Sequence, residues 1–123
     1  ANPDLWVMRG PARVICAGTV AQRYQALGGN VYYHGKPHAP IYADCFARLP
    51  GIARTRMIAI GDTMATDIAG AAAAGVASAL IPSGIHAREL IGAGEREPDP
   101  GALAGLFAAT GQRPDFVLSS LVW

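Results

Sequence analysis

The sequence predicts an α/β fold built on a parallel sheet. Three observations carry that expectation. Strand-like and helix-like segments alternate across residues 31–81, the pattern of right-handed crossovers. The apolar run Met57 to Ile60 does not alternate with polar residues, which predicts a strand buried on both faces. Glycine or proline stands at the end of nearly every segment, so the segments are short and bounded.

The elements follow in order. Leu5 to Met8 and Val14 to Ala17 are short apolar runs around a polar turn, Arg9-Gly10-Pro11. Thr19 to Leu27 reads as a helix stopped by Gly28-Gly29, where a left-handed cap belongs. Val31-Tyr32-Tyr33 is β-branched and aromatic and reads as a strand. Pro40 suits the first turn of a helix that carries Ile41, Tyr42, Cys45, Phe46 and Leu49 on one stripe and ends at Pro50-Gly51. After the strand at 57–60, Asp67 to Ala74 is an Ala-rich helix closing at Gly75, and Val76 to Ile81 is a buried strand. A short helix at His86 to Ile91, a charged loop at Glu95 to Pro100, a helix at Gly101 to Ala109 and a strand at Phe116 to Val122 complete the chain.

Composition narrows the function classes. The 123 residues suffice for one domain with a real core. Half are apolar, only 15% are charged, and the net charge is +1, which excludes a disordered tail and an electrostatic binder. The nine arginines are scattered, so no basic cluster points to nucleic acid. Cys16 and Cys45 fit no metal or redox spacing and read as free buried thiols of a reducing, cytoplasmic setting. The longest weakly apolar run, Ile68 to Ile81, is too short to span a bilayer. Residues 1–20 lack a signal core, and a chain opening at Ala1 in a strand-like run reads as a cut end.

Two stretches carry the chemistry. Gly35-Lys36-Pro37 holds the only lysine and comes after the first predicted strand of the sheet. Gly61-Asp62-Thr63-Met64-Ala65-Thr66-Asp67 brings two carboxylates directly after the apolar strand. Ligands of parallel sheets bind beyond the carboxyl ends of the strands, so one edge would collect an ammonium and two acids beside a helix amino terminus that favours an anion. That combination suits a divalent cation together with a phosphoryl group. Taken singly, each residue has a plainer role. Lys36 reads as an exposed loop lysine, Asp62 as a turn residue, Asp67 as a helix cap, and His34, His38 and His86 as ordinary residues. The Gly-Lys pair is not a nucleotide-binding P-loop, because no glycine stands five residues before Gly35 and no Ser or Thr follows Lys36. The joint placement is what singles these residues out.

Gly-Lys-Pro at 35–37, Gly-Asp-Thr-Met-Ala-Thr-Asp-Ile-Ala-Gly-Ala at 61–71 and Ser-Gly-Ile-His at 83–86 resemble the later motifs of the haloacid-dehalogenase-like hydrolases. The similarity is greatest to the subclass with NagD-like and nitrophenyl-phosphatase-like members. It extends to Ala1-Asn2-Pro3-Asp4, which is similar to the end of that subclass's cap domain. The resemblance implies a cap tail at residues 1–29 and the second half of a Rossmann-like core, a parallel sheet with flanking helices, at 30–123. It implies that Lys36 steadies a nucleophilic aspartate and neutralises the phosphoryl group. It implies that Asp62 binds Mg²⁺ and that Asp67 binds or orients the metal's water shell. The substrate class it implies is a small phosphate monoester.

One departure is severe. The family's nucleophile lies in an Asp-x-Asp motif, and no such pair occurs in these 123 residues; Asp44, Asp99 and Asp115 lack its setting. The chain is therefore expected to be inactive alone, as the carboxyl-terminal portion of a longer Mg²⁺-dependent phosphatase. The alternative is a non-catalytic fragment or pseudoenzyme serving as an interaction or structural module. A phospho-acceptor signalling domain ranks last, because there the lysine comes after the acids. Without the nucleophile strand, residues 57–60 are expected to form an open sheet edge through which the chain associates with itself.

Overall fold

The computed structural model describes residues 1–10 and 12–121. They form two compact units, Ala1–Pro50 and Gly51–Trp123.

The first unit opens with an antiparallel hairpin of β1 (Trp6–Arg9) and β2 (Ala12–Ile15), with Trp6 opposite Ile15 and Arg9 opposite Ala12. Gly10 enters the turn at φ +58°, a backbone conformation that glycine adopts without steric cost. Pro11, the last residue of the predicted turn, lies outside the described residues. The Arg13 guanidinium sits 3.8 Å from the centroid of the Trp6 ring, a cation–π contact across the hairpin. Helix α1 (Ala17–Ala26) comes next, close to its predicted span. Gly18 packs on the Pro3–Asp4 backbone so tightly that a Cβ would lie 2.3 Å from the Pro3 carbonyl oxygen.

Residues 31–33 depart from expectation. They form no sheet strand. They run beside the amino terminus instead: the His34 N–H donates to the Ala1 carbonyl at 3.0 Å, and the Ala1 amino group donates to the Tyr32 carbonyl. Strand propensity expresses itself only where a partner strand is present, and here the segment makes two hydrogen bonds with Ala1, one given and one received, and no ladder. Helix α2 (Ala39–Ala47) begins with Pro40 in its first turn as predicted. Its stripe does not make a core, because none of its residues is fully buried and Leu49 beyond its end is 45% exposed. Both cysteines are free; Cys45 is exposed and Cys16 only half-buried, so the expectation of buried thiols does not hold.

The second unit is the predicted α/β sheet. Strands β3 (Ile58–Gly61), β4 (Ala77–Leu80) and β5 (Phe116–Val117) are parallel in the order β3-β4-β5, with Ile58 opposite Ala77 and Ala79 opposite Phe116. Helices α3 (Ala69–Ala74), α4 (Ala87–Leu90) and α5 (Pro100–Thr110) connect them. The core is small: Met64, Ile68 and Leu80 are buried, with Leu103, Leu106 and Phe107 packed on them. Strand β4 lies inside, paired on both sides, and Ser78, Ala79 and Leu80 are buried. Strand β3 does not match its prediction of burial on both faces. It is an edge strand among the described residues, and Ile58 and Ile60, which share one face, are 47% and 40% exposed. The pairing that would bury a central strand is present on one side only. The last strand is also shorter than predicted, ending at Val117, and Val122 lies outside the described residues.

Candidate active site

The carboxyl end of β3 is shaped by Gly61 and by the turn after it. A π-helical turn, Met64–Ile68, leads into α3. The Thr63 carbonyl accepts from both the Asp67 N–H at 2.9 Å and the Ile68 N–H at 3.2 Å, so the first turn is one residue wider than an α-turn. The helical run thus begins at Met64, three residues before the predicted start, and Asp67 lies inside its first turn.

That placement returns the Asp67 side chain towards the strand. Its Oδ2 accepts from the Thr63 N–H at 3.1 Å, a reach back to the residue before the helix. The Asp67 residue is only 4% exposed. Gly61 makes the approach possible: a Cβ there would stand 2.1 Å from Asp67 Cγ. The capping role expected of Asp67 is therefore met from inside the turn.

Asp62 is held by neighbours on two sides. The Thr63 hydroxyl donates to its Oδ1 at 3.2 Å, and the Ile85 N–H donates to its Oδ2 at 2.9 Å. Gly84 lies against it, where a Cβ would be 2.1 Å from Oδ2. The two carboxylates therefore share one partner residue. Thr63 binds Asp67 through its N–H and Asp62 through its hydroxyl.

The donor set fits a hard divalent cation. A carboxylate offers about four lone-pair sites, and Asp62 uses one on each oxygen in these two bonds. Two carboxylates with waters and phosphate oxygens are the ligands Mg²⁺ prefers. Among the described residues no group of three His, Cys, Asp or Glu side chains could hold a metal, so this pair is not a complete protein cage.

Lys36 belongs to the first unit, and the aspartates to the second. It is exposed, in a loop with a cis Lys36–Pro37 bond. The His38 N–H closes a turn onto the Gly35 carbonyl at 3.0 Å, and the rings of Tyr33 and His38 stack with centroids 5.0 Å apart. Gly35 lies against Pro3, where a Cβ would be 2.6 Å from Pro3 Cδ. Since residues 31–33 are not a strand, Lys36 does not stand at a strand end. Of the three predicted site residues, Asp62 and Asp67 are brought together within one unit.

Sequence reasoning missed Thr63, the Ile85 amide and the two glycines that admit the carboxylates. The signals were present as Gly61 and Thr63 flanking Asp62, and as Gly84 within the Ser-Gly-Ile-His stretch.

Comparison with known proteins gives the family and the fold. The HAD-hydrolase-like family profile matches residues 33–122. A haloacid-dehalogenase-like hydrolase from Brucella suis 1330 is 34% identical, covering 98% of this chain and 42% of that one, with a TM-score of 0.69. A 4-nitrophenylphosphatase from Thermotoga maritima is 26% identical over 95% of this chain and 39% of that one, with a TM-score of 0.66. A p-nitrophenyl phosphatase from Archaeoglobus fulgidus shares the fold at 21% identity, a TM-score of 0.73, and 97% and 41% coverage. No curated protein gives a significant match. The chain belongs to the haloacid-dehalogenase-like hydrolases, and its structural neighbours include the nitrophenyl phosphatases expected from its motifs. It spans about two-fifths of the length of these solved structures.

Proposed function

We propose that this chain is the carboxyl-terminal part of a Mg²⁺-dependent phosphatase that acts on a small phosphate monoester through an aspartyl-phosphate. The observation that carries the reading is the pair Asp62 and Asp67, tied through Thr63 at the carboxyl end of a parallel strand. Residues 1–29 are the tail of a cap and residues 30–123 the second half of the core.

Asp62 would hold the metal, and Asp67, deeper and bonded to the Thr63 N–H, would bind it or orient its water shell. When bound, the Mg²⁺ neutralises charge on the phosphoryl oxygens. The role that the family resemblance gives Lys36 is to neutralise the phosphoryl group and steady the nucleophile. An aspartate from outside these 123 residues attacks phosphorus, the alcohol leaves, and water cleaves the acyl phosphate to release inorganic phosphate. The working setting is the cytoplasm, without a nucleic-acid or membrane partner. Among the described residues no helix is long and apolar enough to cross a membrane.

The test is hydrolysis of nitrophenyl phosphate. The complete protein is expected to turn it over with Mg²⁺, and Asp62→Ala to lower the rate about 10²-fold or more, as when a main electrostatic stabiliser is lost. The 123-residue chain is expected to stay at background. Asp62-dependent turnover by this chain alone would contradict the missing nucleophile. A second reading, a non-catalytic module, rests on the absence of any Asp-x-Asp pair. It predicts no Mg²⁺-dependent turnover even from the complete protein.

A further inference from the structure

The loop from β4 to α4 lies across the end of β3. The Ile81 N–H donates to the Gly61 carbonyl at 2.8 Å, and the Ile85 N–H to Asp62 Oδ2 at 2.9 Å. The loop then turns straight into α4. The Ala87 N–H bonds to the Gly84 carbonyl at 3.1 Å, and the His86 carbonyl accepts from the Glu89 and Leu90 N–H groups at 3.1 and 3.0 Å. One side-chain contact closes this turn, from His86 Nδ1 to Glu89 Oε1 at 2.6 Å.

A carboxylate accepts, so in this pair Nδ1 is the donor. The other ring nitrogen, Nε2, is buried and has no hydrogen-bond partner among the described residues. A buried unpaired polar atom opposes folding, and the bond through Nδ1 is the one that offsets it. His86 is also the residue next to the amide that grips Asp62. The Ile85 N–H belongs to the Gly84–Ile85 peptide, and the carbonyl of that same peptide accepts from the Ala87 N–H in the turn that His86 and Glu89 close.

We propose that His86 is a positioning residue for Asp62: its bond to Glu89 holds the loop at 81–86 where the Ile85 N–H stays on Asp62 Oδ2, and so sets how the carboxylate meets a cation. The cation half rests on the proposed phosphatase function; the hydrogen-bond half does not.

Two substitutions separate the nitrogens. In His86→Asn the amide nitrogen stands where Nδ1 stood, and in His86→Gln it stands where Nε2 stood. Hydrogen exchange of the Ile85 amide is measured by NMR in the metal-free 123-residue chain. Exchange is expected to quicken about two- to fivefold in His86→Gln and in Glu89→Leu, the worth of a partly exposed pair of this kind, and to stay near the parent value in His86→Asn. Unchanged exchange in His86→Gln and Glu89→Leu overturns the proposal. So does protection kept in His86→Gln and lost in His86→Asn, which would make Nε2 the operative atom. Glu89 is half-exposed, so Glu89→Leu remains informative if a ring variant fails to fold. Mn²⁺ titration of the same proteins adds the second arm. Weaker binding in His86→Gln and Glu89→Leu, with loss in Asp62→Asn, supports the whole proposal. Loss in Asp62→Asn alone overturns the His86 role. Binding indifferent to Asp62→Asn sinks the metal reading of Asp62, and the exchange data then still decide on His86.

Discussion

At the scale of residues, the candidate site depends as much on missing side chains as on present ones. Gly84 and Gly61 each leave the volume that a carboxylate occupies, and a Cβ at either would stand 2.1 Å from an atom of Asp62 or Asp67. The nearest atoms include the Cβ of each aspartate, so a rotamer change alone gives no relief. Gly84→Ala is expected to cost about 1–3 kcal/mol, the usual range for overpacking, and to weaken Mn²⁺ binding because Asp62 must shift. A chemical-denaturation curve and a Mn²⁺ titration check both. A Gly84→Ala protein with parent stability and affinity would mean that the loop relaxes freely. Asp62 and Asp67 were legible in the sequence because ionisable residues announce themselves. Their supports were not, because a glycine that makes room and an amide that donates look like any turn.

At the scale of elements, β5 is held by one side chain as well as by its own short ladder. Asp115 Oδ2 accepts from both the N–H and the hydroxyl of Ser78, at 2.8 and 3.1 Å, and the Asp115 N–H returns to Ser78 Oγ at 3.3 Å. Ser78 is 4% exposed, so removing the acceptor strands a buried hydroxyl. Asp115→Ala is expected to cost about 1–3 kcal/mol and to free β5, seen as lost protection of the Leu118 amide, which donates to the Leu80 carbonyl at 3.0 Å. Helix α5 rests on a similar device. Asp99 accepts from the Ala102 N–H at 2.7 Å, and Asp99→Ala is expected to lower stability by about 0.5–2 kcal/mol, read from the melting midpoint. Element types were largely legible: the helices opened by Pro40 and Pro100 and the one closed by Gly75 all form, the last of them starting three residues early. Burial was not. The apolar run at 57–60 has the composition of a central strand, but composition does not say whether a neighbour is present. Strand propensity at 31–33 likewise does not say how much partner there is to pair with.

At the scale of the whole molecule, the sheet has a free side. Among the described residues, β3 carries a row of backbone donors and acceptors paired only towards β4, with Ile58 and Ile60 half-exposed beside it. Unpaired apolar edges recruit other chains. The isolated chain is expected to self-associate, and Ile58→Lys, which charges that face, to shift it towards monomer in sedimentation velocity. A monomer at high concentration with Ile58 in place would contradict this. The solved relatives are more than twice as long as this chain. The α/β class and the family were legible from spaced motifs, which survive in a part of the fold. Packing was less so, because it depends on everything that surrounds the part.

The wide first turn at 64–68 has a consequence for how this segment tolerates change. Because the Thr63 carbonyl spans to Ile68, the stretch from Asp62 to Asp67 works as a measured length. Each residue of an α-helix turns the chain by about 100°. Replacing the exposed Ala65 alters little in that geometry, whereas deleting it swings the second carboxylate roughly a quarter of the way round the helix. Drift by substitution is thus open to the interior of this segment, and drift by insertion or deletion is closed to it.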